Sequence, residues 1–411
     1  MSANEHALTR GERTTVFALV GAGHFMSHVY ILSLPPLFAL IKSELEISYA
    51  ALGLLVTAFH VATGFSQVPA GFAVDRFGAR KTLLFGMFLS AVCMGSVGLV
   101  ETYPLMIALT VIAGVGNSVF HPADYAILAG TVQKQHLGKA FGFHLLAGNL
   151  GFATAPVLMV ALAAWFDWRT AMVIVGGAGV SIGLCMLLFG HNLRAAVAPK
   201  PNVDAETRNS ASPTLLSPAL LTMLGFFVLI ALATAGIQTF SVTVLNKVYG
   251  VSLESANTAL TIFLAAGFVG VATGGFVADR LREPVVVVNL SMFTCAVALA
   301  LVSAVALPFA VLLLMMAIGG AAVGLMRPAR DMMVNAIAPP GTTGKAFGFM
   351  GTGLSIGGAV APVVFGWMID IGVAHYVLGI CAALTLAAVG TATAVHRLGG
   401  LKRENLSIPA K

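Results

Sequence analysis

An all-α membrane protein of twelve transmembrane helices, arranged as two pseudo-symmetric six-helix bundles, is the fold class this sequence predicts. Three observations carry that expectation: long apolar runs, a repeated half, and the placement of the basic residues. Of 411 residues, 58% are hydrophobic and only 9% charged, with a mean hydropathy of +0.94. Soluble domains carry roughly a quarter charged residues, so too little polar surface exists here to coat a water-soluble particle. The apolar residues fall in runs of roughly 20 or more, enough to cross about 30 Å of hydrocarbon as helices. Helices also satisfy their own backbone hydrogen bonds, which lipid cannot do. The short alternating segments of a membrane barrel do not appear.

The predicted spans are 14–40, 48–73, 80–100, 103–127, 138–163, 168–190, 217–246, 253–278, 284–304, 307–330, 343–370 and 374–396. The polar start, Met1 to Arg13, precedes an apolar segment too long for a cleaved leader, so an uncleaved first helix is expected. One stretch breaks the rhythm. From residue 191 to 216 the chain turns polar, with Arg194, Lys200, Pro201, Asp204, Glu206, Arg208 and Pro213, and reads as a linker. The expected organisation is therefore 1–190 as one bundle, 191–216 as cytoplasmic linker and 217–411 as the second bundle.

Charge orients the spans. With the N-terminus cytoplasmic, Lys42, Arg169 and Lys247 are the only basic residues outside, three of 22. That bias predicts a multi-pass inner-membrane protein with both termini cytoplasmic. The net charge of +6 is spread over short loops, which argues against nucleic acid as a partner. Cys93, Cys185, Cys295 and Cys381 all fall inside apolar runs and read as packing residues.

The two halves repeat each other at an offset of about 205 residues, the parallel-repeat plan that places a binding site between halves near the midplane. Gly71-Phe72-Ala73-Val74-Asp75-Arg76 matches Gly275-Phe276-Val277-Ala278-Asp279-Arg280. Gly138-Lys139-Ala140-Phe141-Gly142-Phe143 matches Gly344-Lys345-Ala346-Phe347-Gly348-Phe349. Between them His121-Pro122-Ala123 stands opposite Arg327-Pro328-Ala329.

The segment Gly71 to Lys81, with Asp75-Arg76, Gly78 and the basic Arg80-Lys81, closely resembles the signature between the second and third helices of the major facilitator superfamily. Ala79 is its one mild departure; the second copy loses its glycine and meets Pro284 soon after Arg280. Gly114-Val115-Gly116-Asn117-Ser118-Val119-Phe120-His121-Pro122, followed by Gly148-Asn149-Leu150-Gly151 and Ala155-Pro156, resembles the fosmidomycin-resistance branch of that superfamily. Where that branch has His-Pro-Glu, this chain has His121-Pro122-Ala123 with Asp124 next. His24 fits the branch's early histidine. The resemblance implies a central cavity lined by the first, fourth, seventh and tenth helices. It also implies that Asp75, flanked by Arg76 and Arg80, approaches the N-terminus of the eleventh helix near Thr343 to Lys345 as a conformational gate.

Ionisable residues at bilayer depth are costly and usually face a cavity or a partner. His24 and His28 are four apart and share one helix face. His121 and Asp124 share a face of the fourth span, with Pro122 between them removing a backbone donor. A carboxylate beside a histidine suits proton exchange. Arg327, the repeat counterpart of His121, suits bidentate anion binding, or equally an anchor at the end of the tenth span. His144 and Asn149 join the candidates because the family resemblance runs through the fifth span. Gly142, Gly151 and Ala155-Pro156 recur as Gly348, Gly357 and Ala361-Pro362, which favours close helix packing.

These readings predict a secondary transporter, not an enzyme: no nucleotide loop, zinc motif or nucleophile triad is found. The expected cargo is a small anionic or amphipathic organic solute. Export coupled to the proton gradient leads, and proton-coupled uptake of an organic anion is the alternative. No metal or organic cofactor is expected, and the chain is expected to act as a monomer in the bilayer.

Overall fold

The computed structural model describes residues 8–133, 136–193, 217–281, 283–339 and 342–399, apart from the side chains of 278, 279, 281, 343 and 344. The linker from 194 to 216, the side chain of Asp279, and the C-terminal basic residues Lys402 and Arg403 lie outside this description. Among the described residues no strand occurs, and twelve segments are long and apolar enough to cross a membrane.

The first span is α1 (Arg10–Ile31) followed by α2 (Phe38–Leu45). Next come α3 (Tyr49–Phe77) and α4 (Ala79–Val97). The fourth span is α5 (Tyr103–Asn117) followed by α6 (Phe120–Thr131). Then come α7 (Leu137–Trp165), α8 (Trp168–Phe189), α9 (Pro218–Tyr249) and α10 (Leu253–Leu281). The chain closes with α11 (Pro284–Ala304), α12 (Phe309–Ile337), α13 (Thr343–Asp370) and α14 (Tyr376–Leu398).

Every expected span is present, with ends displaced by a few residues. The largest displacement is in α12, which runs to Ile337 although the tenth span was expected to stop at residue 330. Arg327, Arg330 and Asp331 therefore sit inside a continuing helix. Two spans expected to be continuous are broken. Pro35 and Pro36, which cannot supply helical donors, separate α1 from α2. Pro122 deprives the Ser118 carbonyl of its helical donor, and the chain breaks at Ser118 and Val119. Ser118 Oγ also donates to the Val115 carbonyl at 2.7 Å, competing with the helix for that acceptor. Proline alone is not sufficient: Pro328 occupies the matching place in α12, which stays unbroken.

Packing partners repeat between the halves. α1 packs on α7 as α9 packs on α13; α4 packs on α5 and α8 as α11 packs on α12 and α14. Small residues allow this closeness. A side chain at Gly151 would strike the Phe25 carbonyl of α1, and one at Gly357 would strike Ala231 of α9. Gly142 and Gly348, the other members of that repeated spacing, have open space around them. At the loop between α3 and α4, Gly78 has φ +90, a conformation that explains glycine there.

The described residues cluster into two compact units that do not follow chain order. Residues 8–34 and 58–193 form one, whereas 35–57 join 217–399 in the other. Within the second unit the start of α3 is tied to α13. The Tyr49 and Ala50 amides donate to the Asp370 carboxylate at 2.9 and 2.8 Å, and Thr57 Oγ1 donates to the Ala359 carbonyl at 2.6 Å. Within the first unit the remainder of α3 meets α5, where Thr63 Oγ1 donates to the Gly114 carbonyl at 3.0 Å.

Candidate functional site

The first unit gathers four histidines and one carboxylate from three elements. α1 presents His24 and His28 on successive turns. Their ring centroids are 4.5 Å apart. α7 reaches this face because it carries Gly148 there: a Cβ would lie 2.7 Å from His28 Cε1 and 2.8 Å from His24 Nε2. One turn before it, His144 stacks on His24 with centroids 3.5 Å apart and planes at 23°. α6 supplies His121, whose ring lies 5.1 Å from His24 and 5.7 Å from His144. The break before Phe120 sets the start of α6 close to these residues.

Asp124 is the hub. It has no exposed surface, and His24 and His144 are each only 1% exposed. His144 Nε2 lies 3.0 Å from Asp124 Oδ2, a hydrogen bond, and His24 Nδ1 lies 3.6 Å from the same oxygen. Asp124 Oδ1 accepts no hydrogen bond among the described residues, although it is buried. Leaving a buried carboxylate oxygen unpaired is costly, and such an atom points to a functional role. The arrangement balances a single proton well: one charged imidazole beside an ionised carboxylate is an ion pair. Two charged imidazoles stacked face to face would repel each other.

The expected site residues thus lie largely in one place. His24, His28, His121, Asp124 and His144 converge. Asn149 donates to the Leu145 carbonyl of its own helix at 2.9 Å. Ser27, beside His28, turns back to the His24 carbonyl at 2.8 Å. Two neighbours were missed. Tyr125 stacks 5.9 Å from His121 and 5.0 Å from His144, and Phe152 lies 4.2 Å from His28. Tyr125 is one helical turn after His121, so the four-residue spacing that paired His24 with His28 would also have found it.

The ring nitrogens of His24, His121 and His144 lie within 4.8 Å of one another. Imidazoles suit transition metals, but a tetrahedral centre with bonds of about 2.0–2.1 Å holds its nitrogens closer, at roughly 3.4 Å.

Arg327 belongs to the second unit and is half-buried in α12. Its neighbour Arg330 pairs with Asp331 at 2.8 Å and lies 4.4 Å over the Phe227 ring of α9. The expected gate residues stand at the end of α3 and the start of α4. Asp75 and Arg76 are exposed, with Arg76 5.5 Å over Phe77; Arg80 donates to the Leu187 carbonyl at 2.8 Å. Thr343 and Gly344, which Asp75 was expected to approach, lie outside the described side chains.

A family model described as Major Facilitator Superfamily matches residues 17–256 and 223–398. The fosmidomycin resistance protein of Escherichia coli is 23% identical over 66% of this chain and 68% of its own length. A probable L-galactonate transporter of the same organism is 25% identical over 37% of this chain and 34% of its length. The membrane sensor protein UhpC, also from Escherichia coli, is 25% identical over 57% of each chain. The chain thus spans a third to somewhat over half of those last two relatives. Among solved structures, a bacterial homologue of the human lysosomal transporter Spinster, inward-facing and occupied, superposes with a TM-score of 0.78. It is 14% identical and covers 98% of this chain and 100% of its own.

Proposed function

We propose that this chain, which belongs to the Major Facilitator Superfamily, is a secondary transporter that exports a small anionic or amphipathic organic solute in exchange for protons. The observation that carries the proposal is the fully buried Asp124 shared by His24 and His144. In this reading His24, His28, His121, Asp124 and His144 hold the coupling proton, and Arg327 contacts the anionic group. Asn149 contributes to the adjoining cavity wall. Asp75, Arg76 and Arg80 gate the exchange between states. The protein works as a monomer in the cell inner membrane with both termini cytoplasmic, drawing on the proton gradient and no other cofactor.

Alternating access requires that the proton bind one state better than the other; without that difference it shifts nothing. A histidine–carboxylate set meets this need. With one proton the cluster is a net-neutral ion pair that tolerates an anion beside it; without the proton its net negative charge repels the anion. Linkage of this sign carries proton and anion together, as the uptake reading needs, whereas exchange requires instead that solute and proton compete for the imidazoles.

The names of relatives support an anionic cargo. Galactonate and hexuronate, named for a relative in Escherichia coli and one in Bacillus subtilis, are organic carboxylates. Fosmidomycin resistance and multidrug resistance proteins support the export direction. The sugar-acid relatives equally favour uptake as the second reading, and the sensor relative favours signalling without transport.

Proteoliposomes holding purified protein separate these readings. Counterflow of a labelled organic anion is expected, and its absence across a panel of sugar acids and phosphonates favours a sensor. His121→Gln keeps a polar ring-sized group without titrating near neutrality. It is expected to retain solute binding while flattening the pH dependence of transport between about pH 5 and 8. A His121→Gln profile that matches wild type would remove this histidine from the coupling site.

A further inference from the structure

At the basic end of the first unit, about two turns of α1 before the buried cluster begins, lies a cavity that the proton-linked site does not use. Its volume is about 560 Å³, within the range that holds small organic ligands. Arg10, Arg13 and His136 line it, and among the described residues none of the lining is acidic. Glu12, the nearest carboxylate in sequence, is engaged elsewhere. It accepts from the Thr9 amide at 2.8 Å, from Thr9 Oγ1 at 2.9 Å and from Asn192 at 3.0 Å.

The other lining is apolar. Phe17 and Phe143 meet edge to face with centroids 5.4 Å apart. On α1, Arg10, Phe17, His24 and His28 recur at spacings of seven, seven and four, which keeps them on one helical stripe. On α7, Phe143 immediately precedes His144 of the buried cluster. A Cβ at Gly21, midway between Phe17 and His24, would fall 2.8 Å from Phe143 Cε1. The aromatic pair is therefore seated by Gly21 and lies between the basic cavity and the histidines, about 10 Å deeper along α1 at the helical rise.

We infer that this cavity is an entry subsite for an organic anion with a compact apolar body. Arg10, Arg13 and His136 take its phosphate, phosphonate or carboxylate head, and Phe17 and Phe143 take its body. Two guanidinium forks match such heads in geometry as well as charge. Two guanidinium cations in a concave wall also raise the local anion concentration before deeper binding. The Phe17–Phe143 pair separates capture from coupling, so that an anion held here is not yet committed to proton exchange. This deepens the transport reading and rests on it for the direction of flow, but binding at the cavity stands or falls separately.

The test is titration calorimetry of detergent-purified full-length protein with phenylphosphonate. Four forms are compared: wild type, the double variant Arg10→Gln/Arg13→Gln, Arg327→Gln and His121→Gln. The wild type is expected to bind saturably. The double variant is expected to bind tenfold or more weakly with an unchanged melting temperature, because both arginines are exposed. Weakening by Arg327→Gln alone, with the double variant unaffected, would overturn the cavity and leave the transport reading intact. Flat transport pH profiles in His121→Gln alongside intact calorimetric binding would support both.

A second arm identifies the source of the anion. Repeating the titration in nanodiscs of zwitterionic lipid, with and without anionic phospholipid, distinguishes a soluble solute from a lipid head. Binding that persists with anionic lipid present assigns the cavity to solute. Competition that vanishes in the double variant assigns it to the phosphate of an inner-leaflet lipid. No binding in any bilayer or detergent, for phenylphosphonate or lipid, would overturn the site.

Discussion

A carboxylate without exposed surface is expensive inside a membrane helix, and Asp124 is offset by imidazoles rather than by lysine or arginine. That choice matters. A guanidinium would hold the pair charged at every physiological pH, whereas an imidazole releases its proton within that range. Arg327 illustrates the contrast: at the matching place in the other half, the chain keeps a permanent cation. Arg327→Lys keeps the charge but loses the planar fork. It is expected to weaken anion binding by about tenfold, roughly 1.4 kcal/mol, while leaving the pH profile in place. Binding isotherms for a carboxylate solute check this, and equal affinity in the two forms would remove Arg327 from the contact. The histidines and Asp124 were legible because ionisable residues stand out in apolar runs. Tyr125 does not stand out by composition among 26 phenylalanines and six tyrosines, and only its four-residue spacing from His121 singles it out.

Elements bring these residues together through what is absent from them. Gly148 lets α7 lie against α1 with no side chain between, so His24, His28 and His144 meet. Gly148→Val would drive two methyl groups into both α1 histidines. It is expected to cost about 1–3 kcal/mol, the range for overpacking a filled core. The measurable consequence is a lower melting temperature together with loss of proton-driven transport; a full melting temperature with normal transport would show that the two helices part freely. The breaks in the first and fourth spans were only partly legible. Pro122 announced a bend, but its repeat partner Pro328 sits in unbroken helix. The difference lies in the residues before it. Ser118 offers a side-chain alternative to the helical bond, donating to the Val115 carbonyl, whereas Gly324 at the matching place offers none.

At the scale of the molecule, α3 is one helix shared by two compact units: residues 49–57 pack in one and 58–77 in the other. The length of the apolar run predicts the helix, and the repeat predicts two halves. Neither revealed this sharing, because it rests on single contacts far apart in the chain, such as Asp370 with the Tyr49 and Ala50 amides. Asp370 places a negative charge on the first turn of α3, where the helix dipole favours it by about 0.3–1 kcal/mol, and up to about 2 when partly buried. Asp370→Asn is therefore expected to speed hydrogen exchange at residues 49–52 several-fold while membrane insertion is kept; unchanged exchange would show that the cap is idle. The central claim is that the carboxylate buried among histidines ties solute movement to a proton. Asp124→Asn keeps the shape and a hydrogen-bonding group but removes the charge. The deciding measurement compares two assays of this variant in the same proteoliposomes: solute counterflow at equal pH, and uphill transport under an imposed pH gradient. The account predicts that counterflow persists while uphill transport falls to the level of empty liposomes. Uphill transport at the wild-type level in Asp124→Asn would contradict it.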